Sequence, residues 1–70
     1  MQQLVFPLKG EFIELNQLLK LAGLCDSGGA GKILVASGKV TVDGKTELRK
    51  TCKIRTGQLV VMGSMRIRVE

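Results

Sequence analysis

Apolar residues recur along this chain in two rhythms, and the switch between them predicts its elements. From Glu11 to Ala22, the residues Phe12, Leu15, Leu18, Leu19 and Ala22 fall at helical spacing along one face. Glu11 and Glu14 stand in the first turn of this predicted helix and Lys20 in its last, the order that the helix dipole favours. Gly23 stops it. A second, shorter helix is expected to open at Gly28-Gly29, with Asp26 and Ser27 offering side-chain oxygens as caps. Ile33, Leu34 and Val35 supply its buried side, and Gly38 ends it at the C′ position.

The period then falls to two. Val40 and Val42 alternate with Lys39, Thr41 and Asp43, as in a half-buried strand. Asp43-Gly44 is a hairpin signal, because a type I′ turn needs positive φ at both central positions. The chain returns through Lys45 to Leu48, bends at the basic Arg49-Lys50-Thr51, and runs extended from Cys52 to Arg55. Beyond Thr56-Gly57 comes an apolar strand, Leu59 to Met62, and then Gly63-Ser64 turns the chain once more. In Met65 to Val69, Met65, Ile67 and Val69 point inward and Arg66 and Arg68 outward. Near the start, Leu4-Val5-Phe6 is a short strand that Pro7 confines to a sheet edge. The expected fold is α+β: a single domain over 1–70, with two short helices packed on a small, mainly antiparallel sheet.

Length and composition narrow the function. A chain of 70 residues buries only about 60% of its unfolded surface, so an enclosed substrate cavity has little room. Histidine is absent, and Cys25 and Cys52 stand far apart. Structural zinc takes about four ligands at short spacings, so no metal and no cofactor are expected. The two cysteines read as buried thiols without a functional role. No apolar run approaches the roughly 20 residues of a membrane span. The N-terminal stretch lacks the basic start and long apolar run of a secretory signal, so a cytoplasmic location is the expectation.

Gly28-Gly29-Ala30-Gly31-Lys32 invites a phosphate-loop reading that fails in detail. That motif wants glycine where Asp26 stands, Ser or Thr where Ile33 stands, and a strand rather than a helix before the loop. The same glycines spell the GXXG clamp of KH domains, but a chain that finishes in strands has the wrong order of elements for it. They read instead as a helix opening whose free N–H groups attract phosphate. Ser27 has no base to activate it, and carboxylates appear singly, so catalysis is not expected. The terminal Arg68-Val69-Glu70 also lacks the Gly-Gly of small sulfur carriers.

Charge carries the strongest functional signal. The net charge is +5, but from Lys32 to Arg68 nine basic residues face only Asp43 and Glu47, a local net of +7 against −2 elsewhere. That partition points to a polyanion, nucleic acid first. Lys45, Arg49, Lys50, Lys53 and Arg55 crowd the hairpin and its return, with Lys32 and Lys39 on and after the second helix. Phe6 and Phe12 are the only aromatics, poor equipment for stacking a single strand. Phosphate contacts and the shape of a folded or double-stranded RNA are therefore expected. The rival reading is a protein-interaction adaptor that docks its partner on the exposed edge at Leu4-Val5-Phe6.

Gly23-x-x-x-Ser27, followed by Leu34-Val35-x-x-Gly38-x-Val40-x-Val42-Asp43-Gly44, resembles the S-four-type RNA-binding domain. This is the alpha-L motif of ribosomal small-subunit protein four, pseudouridine synthases and tyrosyl-tRNA synthetases. Leu15, Asn16 and Leu19 are similar to the start of its first helix, and Arg49 to Leu59 to its basic loop and following turn. The motif core runs over about 12–62, and the chain looks like the small stand-alone bacterial members. The resemblance implies a non-enzymatic module for structured RNA, ribosomal or transfer RNA by analogy, with ribosome-associated proteins as further partners. No membrane association is expected, and the chain is expected to act as a monomer. Carried over by position, the contacts are Ser27, Gly28 and Lys32 at the second helix, and Lys39, Lys45, Arg49, Lys50 and Lys53 around the hairpin. Lys20 and Arg55 add charge nearby. Glu14 and Gly28 stand where many members carry arginine, and lysines elsewhere do not replace a guanidinium fork.

Overall fold

Residues 2–70 are described by a computed structural model. Their elements run β1 (Gln2–Phe6), β2 (Ile13–Glu14), α1 (Leu15–Leu21), α2 (Gly28–Ala36), β3 (Val40–Val42), β4 (Lys45–Thr46), β5 (Lys53–Ile54), β6 (Leu59–Met62) and β7 (Met65–Val69). Five strands form one sheet in the order β1-β7-β6-β3-β4, while β2 and β5 form a separate ribbon. Every pairing is antiparallel except that of β1 with β7. The α+β architecture, with two helices on a mainly antiparallel sheet, is as the pattern predicts.

The core joins all these layers. Leu15, Leu18 and Leu19 from α1 and Val35 from α2 meet Val40, Val42, Val60, Ile67 and Val69 from the large sheet and Ile54 from the ribbon. In β7 the expected alternation holds: Ile67 and Val69 are buried, Met65 is half-buried, and Arg66 and Arg68 are exposed. The hairpin turn also forms as read, with φ of 51° at Asp43 and 85° at Gly44. Asp43 does more than turn the chain. Its Oδ1 accepts from the Leu59 N–H at 3.0 Å and its Oδ2 from Gln58 Nε2 at 3.1 Å, which fastens the turn to β6.

The first helix is shorter than its apolar spacing suggests. Ile13 and Glu14 pair with Ile54 and Lys53, and a backbone held extended by a ladder cannot also be helical. Glu14 takes the N-cap position in extended conformation and gives no side-chain cap, so neither Glu11 nor Glu14 lies in the first turn of the helix. The first helical amides find partners far along the chain instead: Leu15 N–H donates to Cys52 O at 2.8 Å and Asn16 N–H to Lys50 O at 3.3 Å. Phe12 consequently lies outside the helix and is exposed, not on its buried face.

In α2, Ser27 is the cap, accepting from the Ala30 N–H at 3.1 Å; Asp26 does not cap. The buried side is also differently placed. Gly31 and Val35 are buried and Leu34 half-buried, but Ile33 is 72% exposed. The reason is the approach of α1. A Cβ built on Gly31 would stand 2.6 Å from the Asn16 carbonyl oxygen, so the Gly31–Val35 face meets α1. Two residues turn a helix by roughly 200°, which carries Ile33 to the opposite side.

Candidate nucleic-acid interface

Asn16 is the joint of the candidate site. Its backbone N–H holds Lys50 O, and its Nδ2 donates to Gly28 O at 3.3 Å. The side chain is 2% exposed, and its Oδ1 has no partner among the described residues. One buried residue thus supports both the basic loop after β4 and the N-terminus of α2. The structure brings together there Ser27 and Gly28 from α2 and Lys50 from the loop. Lys32, one turn beyond Gly28, projects on the same side of α2. Gly28 itself has little space: a Cβ would meet Gln17 Nε2 at 2.8 Å and Asn16 Nδ2 at 3.3 Å.

Within the loop, Glu47 organises its neighbours. Its carboxylate accepts from Arg49 Nε and Nη2, both at 3.0 Å, and from the Arg49 backbone N–H at 3.1 Å. The Cys52 thiol donates to Glu47 Oε1 at 3.4 Å. These hydrogen bonds, those from the Arg49 side chain foremost, pull the Glu47 carboxyl down to about 2. The same pairing raises the Arg49 guanidinium further above its ordinary range. Burial, reinforced by the hydrogen bond to Glu47, pushes the Cys52 thiol up, so it stays protonated. Both cysteines, expected as buried, are free and only half-buried. Arg49, Thr51, Cys52 and Lys53 line a shallow depression of about 390 Å³.

The other cations are distributed less tightly. Lys53 and Arg55 lie on the ribbon side of the loop, against the ring of Phe12. Lys39 adjoins Val40, whose carbonyl accepts from the Glu47 N–H at 3.0 Å, so it stands at the loop end of the hairpin. Lys45 pairs with Val42 beside the turn, at the other end of that hairpin. Lys20 lies in the last turn of α1, away from the loop that docks on the first turn. Sequence reading missed Asn16 as the joint and Glu47 as the organiser. The spacing Glu47-x-Arg49 was a visible sign of a local ion pair; nothing local marks Asn16. Among the described residues no group of acidic or thiol side chains is arranged to hold a metal ion, and no helix is long and apolar enough to cross a membrane.

Two close-packed helices feeding a hairpin, with a basic loop docked on the first helix, define a basic domain of the alpha-L type. The chain belongs to the S4 domain family, whose sequence profile matches residues 6–70. It is 46% identical over 61 residues to YbcJ of Escherichia coli (strain K12), whose name proposes RNA binding, with 87% of each chain covered. The uncharacterized YbcJ of Shigella flexneri matches to the same extent. The solution structure of Escherichia coli YbcJ, which reveals an alphaL motif involved in RNA binding, superposes with a TM-score of 0.73 at 43% identity, covering 99% of this chain and 89% of that one.

Proposed function

We propose that this domain binds structured RNA, folded or double-stranded, through phosphate contacts and shape, without catalysis of its own. One observation carries the reading: Asn16 holds the basic loop and the open N-terminus of α2 on a single buried support. A backbone phosphate at Ser27–Gly28 and others along Lys50 and Lys53 then fit one continuous polyanion. Membership of the S4 family and the likeness to YbcJ, with its alphaL motif, support the same chemistry. Ribosomal or transfer RNA is the class of target, by analogy of fold alone, met in the cytoplasm by a monomer. Lys20, in the last turn of α1 and away from the loop, contributes long-range attraction rather than a contact.

The test is an amide chemical-shift titration with an RNA hairpin and a matched single strand at two salt concentrations. Hairpin-induced shifts at residues 27–32 and 45–55 that weaken steeply with salt are expected. Charge reversal of Lys50 and Lys53 to Glu should abolish binding and leave the fold intact. Unchanged affinity in that variant sinks the proposal.

The adaptor reading keeps one observation in its favour. β1 pairs only with β7, and its Val5 is 51% exposed at the sheet edge. A partner captured through that edge would remain bound after nuclease treatment and in high salt.

A further inference from the structure

Phe12 is 39% exposed, and its ring is held among cations. Lys53 Nζ lies 4.9 Å and Arg55 Cζ 5.9 Å from the ring centroid, within the ~6 Å range of cation–π attraction. The ribbon register explains the trio. Ile13 pairs with Ile54, and Ile54 is fully buried, so the flanking Phe12, Lys53 and Arg55 stand on the outer face. Arg55 Nη1 also donates to Glu11 O at 3.4 Å, which keeps the arginine beside the ring. Lys53 is shared with the shallow depression beside it, which Arg49, Thr51 and Cys52 also line.

We infer that Phe12 is a stacking platform for one unpaired nucleobase of the bound RNA, with Lys53 and Arg55 taking the phosphates next to it. An aromatic face stacks any base, whatever its hydrogen-bonding edge. Lys53 ends on a flexible four-carbon stem and can leave the ring for a phosphate as the base arrives, while Arg55, tied to Glu11 O, meets the neighbouring phosphate from its place beside the ring. The depression alongside gives the flipped nucleotide a place outside the duplex. Recognition of structured RNA thereby acquires a preference for helices interrupted by a bulge. The inference rests on the RNA-binding reading, and the experiment separates the two.

Two RNA duplexes serve as probes, one blunt and fully paired, the other identical but for a single bulged adenosine. The protein should bind the bulged duplex about tenfold more tightly. Phe12→Leu should lose that preference and keep its affinity for the paired duplex, while Phe12→Tyr, which retains a ring, should keep both. In the spectrum of the unmodified protein, the Phe12 ring protons should move upfield with the bulged duplex while those of Phe6 stay in place. Equal affinity for the two duplexes, or unmoved Phe12 ring protons, overturns the stacking site and leaves RNA binding standing. Binding of neither duplex at low salt removes both.

Discussion

Glu47 grips Arg49 at two points of its guanidinium, Nε and Nη2, each at 3.0 Å from a different carboxylate oxygen. The arginine that sequence alone offers as a phosphate contact is thus already paired, though its side chain remains 78% exposed. Lys50, its neighbour, is in no ion pair of this kind among the described residues. Two cations adjacent in the chain are therefore unequal in what they present to a polyanion.

Affinity for RNA should reflect that inequality. Lys50→Ala should lower the salt slope of binding by about one phosphate contact, and Arg49→Ala by clearly less. Titrations of the two variants at a series of salt concentrations measure both slopes. An equal or larger loss at Arg49 would mean that RNA displaces Glu47 from the guanidinium.

Glu47 also makes stability depend on acidity. Its carboxyl lies at about 2 in the fold against an ordinary 4.5, so the folded state binds its proton less readily than the unfolded chain. The contribution is complete above about 4.5 and is lost as pH falls towards about 2. Asp43, lowered by its hydrogen bonds from Leu59 and Gln58, acts in the same direction. Because Arg49 is solvated, the Glu47 effect should be no more than about 1 kcal/mol. Urea midpoints of the parent and Glu47→Gln should differ at neutral pH and converge in acid.

The helix contact makes a sharper prediction. At Gly31 a Cβ would stand 2.6 Å from the backbone oxygen of Asn16, whereas at Gly29 the nearest atom is Ser27 Oγ at 3.8 Å. Gly31→Ala should destabilise by about 1–3 kcal/mol, since α1 and α2 must separate. Gly29→Ala should be neutral or stabilise by up to about 1 kcal/mol through helix propensity. Thermal unfolding distinguishes them.

At the hairpin, Asp43→Ala removes two accepted hydrogen bonds from a residue with φ of 51°. A loss of about 1–3 kcal/mol follows from the orphaned Leu59 N–H and the left-handed backbone. Asp43→Asn keeps an acceptor oxygen and tolerates that backbone, so its loss should be the smaller of the two in urea unfolding.

Sequence by itself determined what depends on neighbouring residues. Asp43-Gly44 makes its turn because of the φ values those two residues accept, Ser27 caps because its oxygen reaches three residues on, and β7 alternates because its side chains do. The basic residues of the candidate site were likewise legible as a set. Tertiary structure alone decided which apolar positions find cover. Phe12 has helical spacing, but Ile13 and Glu14 are held extended by a strand from the far half of the chain, so the ring faces solvent among cations. Ile33 belongs to an apolar run, but Gly31 lets α1 come so close that the helix turns its other side inward. Asn16 joins the two halves of the site through partners distant in sequence, Gly28 and Lys50. Periodicity states which side chains gain from burial; which element arrives to bury them is set by contacts between segments that no local pattern encodes.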